Sequence, residues 1–141
     1  MSVTEKWFGC KKHIHSSLAL IYEEEKKYKD ALRHFWIAAK MSKNKKTRGR
    51  RLLSVACTAK KLKLFKEEIV ALSSAYRNDH ENLEALRSRY KARAKIRDHG
   101  RACEDLHVLI KRYPDSVQIS IDYSLQCFWM GKKKKGYKHP H

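Results

Sequence analysis

Histidines and glutamates are the residues of this chain that could carry out acid–base or metal chemistry. His-x-His pairs occur at positions 13–15 and 139–141, and three glutamates occupy positions 23–25. A metal centre needs further cysteine or carboxylate ligands at characteristic spacing, and neither histidine pair has them. The glutamate run is more typical of a solvated helix end than of an acid–base pair. The sequence therefore predicts a protein that is not an enzyme and that needs no cofactor or metal.

The cysteines are isolated from one another, and none forms a C-x-x-C pair. This argues against a zinc site or a disulfide framework and favours a reducing compartment, either nuclear or cytoplasmic. No apolar run approaches the roughly 20 residues that span a bilayer, and the N-terminal residues lack the apolar region of a secretory signal. The cysteines are Cys10, Cys57, Cys103 and Cys127.

The positive charge of the chain is large and unevenly distributed. There are 33 lysines and arginines against 15 aspartates and glutamates, which gives a formal net charge of +18. Residues 31–66 contain no carboxylate but twelve lysines or arginines. A field of this sign attracts nucleic acid, acidic protein segments or anionic lipid.

The hydrophobic periodicity and the scarcity of breakers, with two prolines and five glycines, predict an all-α fold. Pro114 ends one helix, and Asp115 or Ser116 can cap the next. The basic stretch at residues 42–51 is predicted to be a linker. The predicted helices cover residues 12–25, 29–41, 50–61, 66–77, 82–96, 100–113 and 116–130, with Gly131 ending the last.

An internal repeat supports this assignment. The pattern Ala-x-x-x-Phe-x-x-Ala at residues 31–38 recurs as Ala-x-x-x-Leu-x-x-Leu at residues 102–109. Between them, Glu68, Leu72 and Ala75 occupy equivalent positions. The offsets are 37 and then 34 residues, and the first helices of the three hairpins agree in the same register.

The order and spacing of these residues resemble the tetratricopeptide repeat, a 34-residue helix–turn–helix unit. The resemblance covers residues 12–114 and implies a right-handed α-solenoid of about three hairpins plus a C-terminal helix. The corresponding domains are a repeat domain at residues 12–130 and a basic tail at residues 131–141. The chain departs from the family where a tryptophan and a glycine are usual in each unit. His15, Leu52 and Leu86 replace the tryptophan, and Ala19, Ala56 and Tyr90 replace the glycine.

In this family the first helix of each unit lines a concave groove. The resemblance therefore implies a non-catalytic adaptor that binds an acidic, partly apolar protein segment within a multiprotein complex. One subtype clamps the terminal carboxylate of chaperone tails with asparagines, but the matching positions hold Leu20 and Ser54, so this subtype is not supported. By register, the partner-binding residues are Arg50, Lys60, Lys61, Arg87, Lys91 and Lys95.

An alternative is an RNA-associated protein that contacts phosphates through lysine and arginine clusters. The basic linker and the lysines at residues 132–135 are the candidate segments, and the latter could also meet an anionic membrane surface. The linker contributes Lys43, Lys45, Lys46, Arg48, Arg50 and Arg51 to this hypothesis. The sequence leaves open whether RNA or protein is the main ligand, and it does not define the oligomeric state.

Two helices have unusual surfaces. In the predicted helix at residues 82–96 a basic residue occurs at every second position from 87 to 95. These residues could contact RNA phosphates or an acidic partner, or they could form a solvated surface whose charge is balanced in part by Glu84, Asp98 and Glu104. The last helix carries an apolar stripe: Val117, Ile121, Leu125 and Phe128. A stripe of this kind needs cover at the end of a repeat array, either from polar residues such as the lysine run or from a further repeat.

Overall fold

Seven α-helices make up residues 3–136, the part of the chain that this computed structural model describes; side chains are described for residues 13–136. No strand occurs within this range, and the predicted all-α fold is confirmed. The Cys10 side chain and the histidines at positions 139 and 141 lie outside the described residues. The helices are α1 (Val3–Glu24), α2 (Tyr28–Met41), α3 (Lys45–Lys61), α4 (Phe65–Asn78), α5 (Leu83–Lys95), α6 (His99–Arg112) and α7 (Val117–Lys134).

The chain divides into two compact units after Asn82. In the first unit α1 packs on α2, α2 on α3, and α3 on α4. In the second unit α5 packs on α6, and α6 on α7. Within each unit, successive helices therefore pack against one another, which is the packing expected of helical hairpins joined by short turns.

The turns inside the three hairpins have the same geometry. Lys26, Lys63 and Arg97 adopt positive φ values of 60°, 59° and 65°, and they lie at the predicted offsets of 37 and 34 residues. The next amide in each turn donates to the carbonyl five positions back, which satisfies a free carbonyl at the helix end. These bonds join Lys27 to Tyr22 at 2.8 Å, Leu64 to Ala59 at 2.9 Å and Asp98 to Arg93 at 2.9 Å.

The repeat positions predicted from the sequence are buried in all three hairpins. Phe35, Leu72 and Leu106 occupy one equivalent position and are 6%, 1% and 0% exposed. Ala31 and Ala38 on either side of Phe35, Ala75 after Leu72, and Ala102 and Leu109 on either side of Leu106 are fully enclosed. Glu68 is buried at the position that alanine holds in the other two hairpins. The same sequence register therefore fills the core of each hairpin.

Tyr90 stands where the repeat family has a small residue, and the third hairpin accommodates it. The ring is buried, and the hydroxyl donates to Asp122 on α7 at 2.7 Å. Burial and this hydrogen bond raise the pKa of the Tyr90 phenol above its ordinary value. The turn that follows keeps the geometry of the other two, so the substitution joins α5 to α7 without disturbing the hairpin.

Three predicted helix ends are wrong, and one predicted cap is confirmed. The first helix was expected to begin at residue 12, but α1 begins at Val3. The stretch expected to be a linker is mostly helix, because α3 begins at Lys45 with Asn44 as its cap; the Asn44 side chain accepts a hydrogen bond from the Thr47 amide at 3.1 Å. Gly131 does not end α7, which continues to Lys134. Ser116 caps α7 by accepting from the Ile119 amide at 3.4 Å, as expected.

Candidate functional site

The basic residues of α5 separate into two groups. Arg87, Lys91 and Lys95 repeat at intervals of four, so they share one side of the helix, and all three are exposed. No carboxylate pairs with Arg87 or Lys91 within the described residues. This row contains every partner-binding residue predicted for the second unit.

Arg89 and Arg93 belong to the other side of α5 and are bound inside the protein. Both contact Asp105 on α6: Arg89 approaches one carboxylate oxygen to 2.6 Å, and Arg93 lies 2.9 Å from each oxygen. Asp105 is 2% exposed. The interpretation in which Glu84, Asp98 and Glu104 balance the charge of α5 therefore omitted Asp105, the main partner of the inner arginines. Asp105 was not identified from the sequence because only the packing of α6 brings it to α5.

Arg87 is held in place by an aromatic ring. Its guanidinium carbon lies 4.8 Å from the centroid of the Tyr113 ring, at the end of α6. A cation over an aromatic face keeps its full charge and its hydrogen-bond donors. Arg87 is therefore oriented by the protein but still able to bind an anion.

On α3, Arg50, Lys60 and Lys61 are all exposed. The Lys61 ammonium lies 3.8 Å from a carboxylate oxygen of Glu23 on α1 and 5.3 Å from the centroid of the Tyr28 ring. This contact brings the side chains of α1 and α3 together on one surface of the first unit. Arg50 and Lys60 have no ion pair within the part of the chain that the structure describes.

Exposed apolar side chains on α1 add to this surface. Leu20 is 55% exposed, although it stands at one of the positions where the chaperone-clamp subtype has asparagine. Ser54 on α3 holds the other such position and is half-buried. The first unit therefore combines exposed cations with an apolar side chain at the positions that the repeat family uses for binding.

The basic residues at positions 43–51 also form two groups, one bound within the protein and one exposed to solvent. Arg48 donates to the Ser42 carbonyl at 2.7 and 3.0 Å and to Asn78 at 3.3 Å. Arg51 donates to the Ala38 carbonyl at 3.0 Å and to the Ser42 hydroxyl at 2.5 Å. These two arginines therefore cap the C-terminal end of α2. The remaining candidates for phosphate contacts are exposed: Lys43, Lys45, Lys46 and Arg50.

A basic pocket between α2 and α4 was not found from the sequence. It is open to solvent, has a volume of about 530 Å³, and has Trp36 in its wall, where the indole donates to Glu67 at 2.9 Å. The signal was present, because cations at positions 29, 33 and 40 share a helical face with position 36. The lining residues are Lys29, Leu32, Arg33, Trp36, Ile37, Lys40 and Glu67.

The structure bears on the metal and membrane expectations only within the described residues. No group of three or more histidine, cysteine, aspartate or glutamate side chains in this range could hold a metal ion. His13 is exposed. The Nδ1 atom of His15 lies 2.9 Å from the Nδ1 atom of His34. No helix among the described residues has the length and apolarity to cross a membrane.

Repeated hairpins with matching turns define a helical-repeat protein. The sequence matches no protein-family model, and no curated protein is significantly similar to it. Solved structures establish the fold: MamA from Desulfovibrio magneticus RS-1 superimposes with a TM-score of 0.73 at 14% identity, covering 89% of this chain and 70% of its own.

Two further solved structures are tetratricopeptide-repeat domains in complex with a ligand. The first such domain of Spaghetti (RPAP3), bound to the HSP90 peptide SRMEEVD, has a TM-score of 0.64 at 14% identity and covers 86% of this chain and 96% of its own. The TPR2B domain of yeast Sti1, solved as a complex with pHsp70, has a TM-score of 0.63 at 16% identity, with coverages of 83% and 96%. The chain therefore has the tetratricopeptide-repeat fold that the sequence resembles.

Proposed function

We propose that this protein is a non-catalytic adaptor that binds acidic protein segments through exposed cations, which α3 supplies in the first unit and α5 in the second. The observation that carries the proposal is the division of charge on α5. The inner arginines are both bound to Asp105, whereas Arg87 and Lys91 face solvent without a carboxylate partner in the described structure. Exposed cations that the protein leaves unneutralised favour an anionic ligand.

The first unit supports a ligand that is partly apolar. Leu20 on α1 is exposed beside a surface to which α3 contributes Lys60 and Lys61. A peptide with carboxylates near the cations and one aliphatic side chain near Leu20 would satisfy both chemistries. Two of the similar structures carry chaperone-derived ligands, and the HSP90 peptide contains two glutamates and an aspartate together with methionine and valine.

The test uses that peptide as a probe. We expect fluorescein-labelled SRMEEVD to bind the full chain, and we expect SRMQQVN, which lacks the carboxylate side chains, to bind at least about tenfold more weakly, a loss of about 1.4 kcal/mol. Because Leu20 and Ser54 replace the clamp asparagines, amidating the peptide terminus should change the affinity little. Equal affinities for SRMEEVD and SRMQQVN would refute the proposal.

A charge-matched pair of variants separates position from net charge. Replacing four of the proposed partner-binding cations by glutamine, two in each unit, should abolish most of the binding, whereas the same charge change on the second helices of the hairpins should weaken it only slightly. Equal losses in the two variants would show attraction by overall charge and would contradict the proposed site. The test variant changes Arg50, Lys61, Arg87 and Lys91; the control changes Lys66, Arg77, Arg101 and Lys111.

A second candidate function is RNA binding, and the start of α3 favours it. The first turn of α3 has no acidic residue, and Lys43, Lys45 and Lys46 are exposed without an ion pair in the described residues. If these lysines contact phosphates, binding of a labelled oligouridine should weaken steeply with salt, and replacing all three by glutamine should reduce the slope of log K against log salt by about 2. An unchanged slope would remove this candidate.

We also propose that the adaptor works in the nucleus or the cytoplasm. Cys57, Cys103 and Cys127 are free thiols in the structure, which is consistent with a reducing compartment. Fluorescence microscopy of the tagged full-length chain tests this location, and secretion of the tagged protein would contradict it.

A further inference from the structure

One face of α7 carries a continuous row of exposed apolar side chains. Val117, Ile121, Leu125 and Phe128 are 71%, 55%, 47% and 53% exposed, and they repeat at helical spacing. Single exposed apolar residues are ordinary on a protein surface, but a contiguous stripe marks an interaction site. We call these four residues the α7 stripe.

A shallow groove runs beside the α7 stripe. Ser116, Ser120 and Ser124 follow one another at intervals of four and, with neighbouring residues, line an open pocket of about 400 Å³. Helices pack by inserting the ridge of one into the groove of the other. Because α7 presents both a ridge of large side chains and an adjacent groove of small ones, its surface is complementary in shape to a second copy of itself.

The charges around α7 are complementary to themselves in the antiparallel direction. Asp115 lies just before the helix, and lysines occupy positions 132–135 at its other end. The 18 residues of α7 are about 27 Å long. Two antiparallel copies therefore bring Asp115 of each copy to the lysines of the other, whereas a parallel arrangement would bring the two lysine clusters together.

We propose that two copies of this chain associate through their α7 stripes, antiparallel about a two-fold axis. In this arrangement Ile121 of one copy faces Leu125 of the other, and Asp115 lies near Lys132. The interface is isologous, as in most homodimers. Lys132 also lies over the Phe128 ring, 5.4 Å from its centroid, so this lysine already borders the apolar surface.

The net charge of +18 opposes association but does not prevent it. At about 0.15 M salt the Debye length is about 8 Å, so only charges close to the contact interact strongly. Among those, the antiparallel arrangement keeps the two lysine clusters at opposite ends of the helices. The apolar surface is small, so we expect a weak dimer with a dissociation constant on the order of 10 µM.

Sedimentation velocity of the full chain at 0.15 M salt tests the proposal. Between about 1 and 200 µM the measured mass should rise from 16.7 kDa toward twice that value. Ile121→Glu should keep the protein monomeric at the highest concentration. The matched control is Val70→Glu on α4, where the side chain is 59% exposed but lies outside the α7 stripe; this variant should dimerise like the wild type.

A charge exchange tests the antiparallel direction. Asp115→Lys and Lys132→Glu should each weaken dimerisation severalfold, and the two changes combined in one chain should restore most of it, because each altered end again meets its opposite. Circular dichroism confirms that every variant stays helical. A wild-type chain that remains at 16.7 kDa at 200 µM, or a double variant that does not recover, would overturn the proposal.

Discussion

Asp105 and Arg89 form the shortest ion pair between α5 and α6, with 2.6 Å between a carboxylate oxygen and a guanidinium nitrogen. Arg93 completes the cluster at 2.9 Å. The carboxylate is almost fully buried, and the arginine side chains are 15% and 13% exposed. One aspartate therefore fixes the orientation of α5 and leaves only its outer row of cations available to a ligand.

Replacing Asp105 by asparagine should destabilise the protein by about 3 kcal/mol, because it removes the buried carboxylate that both mostly buried guanidinium groups contact. Urea unfolding followed by circular dichroism measures this loss. The matched control is Asp98→Asn, which removes a surface pair with Arg101 at 3.7 Å; it should cost less than about 1 kcal/mol. Equal costs for the two variants would show that the buried cluster contributes no more than a surface pair.

The hairpin turns predict a stabilising substitution. Arg97 has a φ of 65°, in the left-handed region that costs a residue with a Cβ atom about 1 kcal/mol and that glycine adopts freely. Arg97→Gly should therefore raise the free energy of unfolding by up to about 1 kcal/mol, as measured by urea denaturation.

A glycine inside the neighbouring helix gives the opposite control. Glu104 is exposed within α6, and Glu104→Gly should lower the stability by about 1 kcal/mol through the poor helix propensity of glycine. If Arg97→Gly also lowered the stability, the strain assigned to this turn would be absent.

The fold was largely predictable because the burial pattern is local. Residues at positions 31–38 and 102–109 carry the same small and large side chains at the same spacing, and the turns repeat at the offsets that this register gives. The start of α3 was not predictable in this way. Residues 45–51 have no apolar stripe, and the segment is positioned by Arg48 and Arg51, which bind the end of α2.

The candidate site was predictable only in part. Register alone located the outer row of α5, and the structure shows those residues exposed. It could not separate them from Arg89 and Arg93, because the partner of those arginines lies on another helix, at Asp105. The Trp36 pocket was missed for a similar reason, since its Glu67 wall comes from α4, 31 residues further along the chain.

A histidine pair in the first unit predicts a pH-dependent stability. Burial and the neighbouring His15, together with Arg33, lower the pKa of His34, and Asp30 opposes them in part. The unfolded chain then binds a proton more readily than the folded chain, so stability is complete above about pH 6.5 and declines as the pH falls below that value. The urea midpoint should be lower at pH 5.0 than at pH 7.5.

Variants assign this pH dependence to the pair. His34→Gln should reduce the change in the urea midpoint between the two pH values, whereas His13→Gln, at an exposed position on α1, should leave it unchanged. A proton NMR titration of the ring measures the pKa directly. A measured pKa of His34 above the ordinary value of histidine would contradict the prediction.

Two thiols of the second unit lie close enough to react with each other. The sulfur atoms of Cys103 on α6 and Cys127 on α7 are 3.6 Å apart, and a disulfide needs an approach to about 2.05 Å. Oxidised glutathione can supply the oxidation. The Cys127 thiolate attacks it and releases one glutathione thiol, and the Cys103 thiolate then attacks the mixed disulfide and releases the second.

The second exchange should be slow and strongly pH-dependent. Burial, with the hydrogen bond to the Cys127 thiol as a further cause, raises the pKa of the Cys103 thiol to about 12. The burial remains once Cys127 is in the mixed disulfide, so the pKa of Cys103 stays raised and its thiolate fraction grows about tenfold per pH unit below that pKa. In a Cys10→Ser/Cys57→Ser background, mass spectrometry after glutathione treatment should show the loss of two hydrogens at a rate that follows this fraction. With Cys103→Ser added, the mixed disulfide at Cys127 should persist. A mixed disulfide that also persists in the parent background at pH 10 would show that α6 and α7 hold the two sulfurs too rigidly to join.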